Sequence, residues 1–322
     1  MVNKVMVTGA TGFVGKPLVQ QLSKNNQYVV RAVARIDITG LFEPNVEMGY
    51  VNDIDADTDW TEALTGCDTV IHTAARVHVM KEHADDPLAE FRRVNLVGTL
   101  NLARQAVQQG VSRFIFISSI KVNGESTAKN NPFTPEAIPQ PEDAYAISKY
   151  EAEEGLRALA VETGLDVVVI RPPLIYGPAV KGNFQRMMKW LINDLPLPLG
   201  KIPNKRSFVA VDNLINLITL CITHPQAANQ LFLASDGEDL STSELLQRMG
   251  RALGKKTRLL PVPFVILRAG AALIGKQDML QRLCGSLQID ASKAYDLLGW
   301  KPVTQVDEAL HRTAQHYLHD QK

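Results

Sequence analysis

The chain of 322 residues has no surplus charge of either sign, 34 Lys and Arg against 34 Asp and Glu. Its overall composition therefore offers no general electrostatic grip on nucleic acid or an anionic membrane, and only a local basic patch stays open. Cysteine is scarce: Cys67, Cys221 and Cys284 lie far apart, with no Cys-x-x-Cys pair. That excludes a disulfide framework and reads as small core residues in a reducing compartment. No apolar run suffices for a membrane span, which needs roughly 20 residues; the most apolar late stretch, 264–274, is short and interrupted by Arg268. The N-terminus has no signal-peptide pattern and enters a strand-like segment at once. There is no internal repeat and no low-complexity tract. His72, His78 and His83 have no carboxylate or cysteine at regular spacing to complete a ligand set, so no metal is expected. A cytoplasmic globular protein is what these absences leave.

What is present is a regular alternation. Strand-like apolar runs at 5–8, 28–33, 69–72, 113–118 and 167–171 alternate with helical patterns at 13–24, 87–109 and 144–163. Such alternation predicts βαβ units and an α/β, doubly wound parallel sheet covered on both faces. Residues 123–143 hold Pro132, Pro135, Pro139 and Pro141 and predict an extended loop. After Arg171 prolines and glycines thicken and helical patterns dominate. The expected division is a dinucleotide-binding domain over 1–172 and a smaller, mostly helical substrate-binding region over 173–322, with some strands returning to the main sheet.

The run Gly9-Ala10-Thr11-Gly12-Phe13-Val14-Gly15 follows directly on Val5-Met6-Val7. A helix N-terminus carries unpaired N–H groups and partial positive charge, which a phosphate uses if the backbone comes close. Gly9, Gly12 and Gly15 supply the turn, the close approach and the tight helix–strand packing, with Thr11, Phe13 and Val14 completing the loop. At the end of the second strand an acidic residue would bind a ribose diol and repel a 2′-phosphate. Arg35 stands there instead and suits the 2′-phosphate, so NADP is expected ahead of NAD. Asp37 is near enough to blur the choice, and a solvated surface arginine is the other reading of Arg35.

The second motif is Tyr145-Ala146-Ile147-Ser148-Lys149, with Ser118-Ser119 upstream. Residues four apart share a helix face, so Tyr145 and Lys149 stand together. A free phenol has a pKa near 10, and a neighbouring ammonium is expected to lower it. Tyr145 then serves as acid/base at a carbonyl oxygen while hydride reaches its carbon, and Ser119 orients that oxygen.

With these motifs the chain resembles the extended short-chain dehydrogenase/reductases over nearly its whole length. The resemblance takes in Thr8 to Gly15, Asp53-Ile54, His72-Thr73-Ala74-Ala75, Asn95 in Val94-Asn95-Leu96, Ser118-Ser119, Tyr145 to Lys149, Arg171-Pro172-Pro173, Tyr176-Gly177-Pro178 and Arg206-Ser207-Phe208. It implies that Asp53 and Ile54 flank an adenine, and that Ala74, Ala75, Asn95, Ser118 and Pro172 lie at the cofactor. Tyr145 belongs to the same cofactor set, and Lys149 would also hold the nicotinamide ribose. It further implies a homodimer through helices near 87–109 and 144–163.

The second half resembles that of nucleotide-sugar enzymes, in which residues like Asn183 and Arg206 clamp the diphosphate. Leu174 departs from the asparagine many relatives have there. Ile120-Lys121 stands where sugar dehydratases carry Asp-Glu, which argues against 4,6-dehydration, and Asn123 stands where 4-epimerases usually carry tyrosine. Lys121 is read either as a substrate ligand or as a solvated loop lysine, and His78 as a residue lining the sugar pocket. The stretches Ser118 to Glu125 and Arg282 to Leu287 resemble enzymes that reduce UDP-4-keto-6-deoxy-N-acetylglucosamine at C4 for surface polysaccharides. The expected activity is that reduction. The alternatives are a UDP-sugar 4-epimerase with tightly held NAD, a non-catalytic dinucleotide sensor, and another ketone or aldehyde reductase.

Overall fold

The computed structural model describes residues 2–77, 86–128, 131–273, 275 and 277–320. Nine strands run β1 Asn3–Thr8, β2 Tyr28–Ala34, β3 Glu47–Tyr50, β4 Thr69–His72, β5 Arg113–Ile117, β6 Asp166–Arg171, β7 Leu174–Tyr176, β8 Phe208–Ala210 and β9 Leu231–Leu233. Seven of them form one sheet in the order β3-β2-β1-β4-β5-β6-β9, every pair parallel. Strands covered on both faces read as continuous apolar runs. Successive residues go to opposite faces: Val5, Val7 and Ile71 join one buried cluster, Met6 and Val70 the other. The chain order reverses between β1 and β4, which opens a crevice at the carboxyl ends of these strands.

The five expected strands are present. Two more complete the sheet. β3 is four residues long and only half-buried, too short and too exposed to show a pattern. β9, a strand of the second half, pairs with β6, Ile170 opposite Phe232; that some strands return to the main sheet was expected, but which ones was not legible. β7 and β8 make a separate two-stranded sheet. Around it a third apolar cluster, including Phe184, Met188, Leu246 and Leu310, forms the core of the second half.

The helix expected over 87–109 is helical but not uniform. Residues Pro87–Arg92 and Thr99–Gln108 are α-helical, and Arg93–Gly98 between them is a π-helix. Such wide turns concentrate at functional sites, and Asn95 sits in this one. Helix Ala144–Thr163 begins on Asp143, whose Oδ1 accepts from the Ala146 N–H at 2.7 Å, and ends on Gly164 at φ +77°. It lies against the Pro87–Gln108 helical stretch. Among the described residues no helix is long and apolar enough to cross a membrane.

Candidate active site

Gly9 leaves β1 at φ +68°, a conformation only glycine adopts without strain. A Cβ on Gly9 would stand 2.8 Å from the Ala74 nitrogen, and one on Gly15 would stand 2.1 Å from the Gly9 carbonyl oxygen. The turn is therefore folded onto itself and onto the loop after β4. It delivers the first residue of helix Gly15–Leu22 to the crevice, with Thr11 and Gly12 open to solvent and Phe13 and Val14 half-buried. This cradle, at the carboxyl edge of a parallel sheet beside the strand-order reversal, fits a dinucleotide pyrophosphate. Ala74 and Ala75 follow β4 on the neighbouring rim, half-buried.

Asp53 and Ile54 lie past β3. The Asp53 carboxylate accepts from the Ile54 N–H at 2.8 Å and from Arg93 at 2.8 Å, and Arg35 stands 3.8 Å away, largely exposed. The Arg93 hydrogen bond, the Ile54 N–H and the nearby guanidinium charges hold its carboxyl below the usual range. Ile54 is buried. Asn95 is also buried, and its side chain clamps the Arg76 backbone on both sides, 2.8 and 3.0 Å, and donates to Ser148 Oγ at 3.0 Å. It fixes the loop after β4 to the helix that carries Tyr145.

Ser118 and Ser119 follow β5 directly, and continued period-two alternation sends them apart. The Ser118 hydroxyl turns under the site and donates to Glu153 Oε1 at 2.5 Å. Ser119 faces the crevice, caps the short 3-10 turn Ile120–Val122 and lies beside the Tyr145 hydroxyl, whose pKa it pulls downward. Pro172, at the end of β6, accepts from the Ile120 N–H at 2.9 Å and pins that turn.

The tyrosine and the lysine share one face of helix Ala144–Thr163, as expected, but their electrostatics differ from expectation. Burial, then the Asp143 charge, push the Tyr145 phenol up to about 12 against the lowering effect of Ser119. Burial pulls Lys149 down to about 7, opposed by Glu153. The Lys149 Nζ donates to the Ile117 carbonyl at 2.8 Å and lies 4.3 Å from the Phe116 ring centre. An ammonium spent on those partners, with a pKa brought near neutrality, does not offset the desolvation of the phenol.

Lys121 resolves into neither of its two readings alone. Its Nζ donates to Glu125 and to Asp143, both at 2.6 Å, and these bonds raise its pKa despite burial. It ties the turn after Ser119 to the cap of the tyrosine helix and also lines the cavity. That cavity, about 360 Å³, takes in Ser119, Tyr145, Lys121, Glu125, Asn183 and Arg206 among its walls. Asn183 opens helix Asn183–Ile192. Arg206 donates to the Gly285 carbonyl at 2.9 Å, and burial lowers its pKa. Thus five sequence-predicted residues from both halves of the chain converge on one space. His78 lies outside the described residues.

Sequence reading missed Glu153. It is one helical turn past Lys149, on the same face, so extending the four-residue spacing once more would have found it. It also missed the apolar walls, Val77, Met187, Leu245, Leu283 and Leu287, which come from separate segments with no local signal.

His72 ends β4 beneath this site. Its Nδ1 is 2.7 Å from Thr8 Oγ1 and its Nε2 3.0 Å from Thr99 Oγ1. Burial and the Lys149 charge hold its pKa down to about 3. Between about 6.5 and 3 the unfolded chain binds a proton that the folded one does not, so stability is full above pH 6.5 and falls as pH falls. Denaturant titrations at pH 7 and 5 should show about 2 kcal/mol lost through this group, and His72→Gln should flatten the slope by that amount.

The family follows from the glycine cradle, the Ser119–Tyr145–Lys149 group and the sheet order together. The model of the NAD dependent epimerase/dehydratase family matches residues 5–233. The chain belongs to that family. It is an extended short-chain dehydrogenase/reductase, an enzyme of the NAD(P)-dependent class that includes nucleotide-sugar epimerases and reductases. A UDP-glucose 4-epimerase of Vibrio cholerae is 46% identical over 323 aligned residues, covering 99% of this chain and 96% of its own. An N-acetyl-alpha-D-glucosaminyl-diphospho-ditrans,octacis-undecaprenol 4-epimerase of Escherichia coli O157:H7 is 28% identical, covering 100% and 98%. The UDP-glucuronic acid 4-epimerase from Bacillus cereus in complex with NAD shares the fold, with a TM-score of 0.80 at 20% identity and coverage of 99% and 100%.

Proposed function

We propose that this enzyme reduces the C4 carbonyl of a UDP-linked 4-keto-6-deoxy-acetamido sugar, of the UDP-4-keto-6-deoxy-N-acetylglucosamine type. The observation that carries this reading is the character of the cavity into which Ser119 and Tyr145 open. Val77, Ile120, Leu174, Met187, Leu245 and Leu283 line it. Such walls suit the methyl group at C5 and the acetamido methyl, whereas a 6-hydroxyl against them would lose its water partners at a cost of about 1–3 kcal/mol.

In this scheme Tyr145 donates the proton to the C4 oxygen, Ser119 bonds that oxygen, and Lys149 holds the nicotinamide ribose. A bound nicotinamide dinucleotide supplies the hydride. The backbone of Gly9 to Gly15 would hold its pyrophosphate, with Asp53, Ile54, Ala74 and Ala75 around the adenosine side. Asn183 and Arg206 clamp the sugar's diphosphate, where an amide and a guanidinium suit two phosphate charges. The 1–172 and 173–322 portions divide cofactor and substrate between them, and the homodimer forms on the paired helices Pro87–Gln108 and Ala144–Thr163.

NADPH is the proposed donor. Arg35, directly after β2, is largely exposed, 3.8 Å from the Asp53 carboxylate, and suits a 2′-phosphate. Arg35→Ala should raise KM for NADPH about 10- to 100-fold and leave KM for NADH nearly unchanged. Equal KM effects on the two cofactors would return Arg35 to the role of a surface residue.

The test of the function follows absorbance at 340 nm with the 4-keto-6-deoxy substrate and each reduced cofactor. Stoichiometric oxidation of NADPH supports the reading. The 46% identity to a UDP-glucose 4-epimerase favours a second reading, C4 epimerisation of a UDP-hexose with retained NAD. Interconversion of UDP-glucose and UDP-galactose without added cofactor, and no 340 nm change with the keto sugar, would establish that one instead.

A further inference from the structure

Helix Phe264–Leu273 has the sequence FVILRAGAAL, with one charge among ten residues. A helix this apolar on all sides normally lies inside a protein. Here Phe264 and Leu267 pack against the third apolar cluster, while Val265, Ile266 and Leu273 are 68%, 60% and 88% exposed. Leu260, on the segment that leads into the helix, is exposed as well. Contiguous exposed apolar side chains of this kind mark an interaction surface.

The charge around it points to the partner. From residue 245 to 277 the sequence has Arg248, Arg251, Lys255, Lys256, Arg258, Arg268 and Lys276, and no Asp or Glu. In a chain whose charges balance overall, this is a marked segregation. Arg251, Lys256, Arg258 and Arg268 are exposed. Lys255 faces Asp194 at 3.9 Å and Arg248 pairs with Glu238 and Asp307, so these two are partly neutralised. Residues 258–260 are held to the body of the second half by backbone bonds between Leu197 and the Arg258 and Leu260 main chain, 2.9 and 2.8 Å. Arg258 and Leu260 thus sit on an anchored segment that leads directly into the apolar helix.

We propose that this surface docks flat on an anionic lipid bilayer. Val265, Ile266 and Leu273 enter the headgroup boundary while Lys256, Arg258 and Arg268 meet lipid phosphates. Apolar burial and attraction to anionic lipid together are what interfacial helices use, and the long Arg268 stem lets its charge reach the headgroups from an apolar face. Crossing the bilayer is excluded by the helix's length. A second copy of the chain is the poorer occupant, because a two-fold contact through this face would set the same cations against themselves. The cavity lies close by: Leu283, in the next helix Gln277–Cys284, and Leu245, in helix Thr242–Ala252, both line it. Docking would therefore hold the substrate cavity near the membrane surface. The proposal stands independently of the chemistry assigned to C4.

The experiment is sedimentation of the full chain with two kinds of vesicle, pure phosphatidylcholine and equal parts phosphatidylcholine and phosphatidylglycerol, at low and high salt. Binding to the anionic vesicles alone, reversed by salt, is expected. Two variants carry the test, Ile266→Asp with Leu273→Asp, and Lys256→Glu with Arg258→Glu and Arg268→Glu. The first should lower partitioning at least about tenfold, the second about a hundredfold. All five positions are exposed, so far-UV circular dichroism and the thermal midpoint should match the parent. A parent protein left in the supernatant with both vesicles would overturn the proposal. So would binding that either variant leaves intact, or a self-association in solution that Ile266→Asp abolishes, which would assign the face to a second copy.

Discussion

Tyr145→Phe is expected to lower kcat about 10²- to 10⁴-fold while leaving thermal stability nearly unchanged. General acid catalysis by a placed side chain is worth this much, and the tyrosine hydroxyl, in the cavity wall with Ser119, is the proposed proton donor. The ring itself is held independently of its hydroxyl, edge-on to Phe91 at 6.1 Å between centroids, so phenylalanine keeps the packing. Burial and Asp143 hold the phenol protonated at neutral pH, the form that donates to a carbonyl. Ser119→Ala should cost less, about 10- to 100-fold, because it removes one hydrogen bond to the reacting oxygen and not the proton. Single-turnover rates with reduced cofactor check both. A Tyr145→Phe enzyme within tenfold of the parent would remove tyrosine from the proton-transfer role.

Removing Glu153 should be the most destabilising single change near the site. Its carboxylate is fully buried and accepts from Ser118 and from two nitrogens of Arg171, at 2.5, 2.9 and 2.5 Å. Arg171, buried on β6, also donates to Asn123 at 2.9 Å. Glu153→Ala strands a guanidinium in the interior, at a cost of about 3–5 kcal/mol. For a chain of this length that is a fall of about 4–7 °C in Tm. The double variant Glu153→Leu with Arg171→Met should recover much of it, since an apolar pair asks for no partner. An effect on the activity profile is expected as well, through charge. Glu153 opposes the depression of the Lys149 pKa, so Glu153→Gln should lower that pKa further and move the alkaline limb of the activity profile to lower pH. A Tm loss with an unmoved limb would confine Glu153 to a structural role.

These two residues show how far the sequence carried. Tyr145 was legible because its partner, Lys149, is local and the spacing of four is set by the helix. Glu153 continues the same spacing, yet nothing local says that it meets Arg171 of β6. The same holds for the two serines after β5. Alternation predicts that they point apart, but not that Ser118 is spent on Glu153 while Ser119 takes the site. Asn95 was placed in the right region, and its role as a clamp on the Arg76 backbone required the π-turn, which no residue pattern announced.

By itself the sequence determined the parallel sheet, the glycine turn at the end of β1 and the tyrosine–lysine face, because each depends on periodicity or on a backbone conformation that few residues can adopt. The tertiary structure alone decided three things. It set Lys149 against the Ile117 carbonyl and so left the Tyr145 phenol high instead of low. It divided Lys121 between Glu125 and Asp143. It also drew apolar side chains from distant segments into one cavity wall. The physical reason is common to all three: desolvation, charge proximity and enclosure depend on what surrounds a group in space, and residues far apart in the chain supply those surroundings.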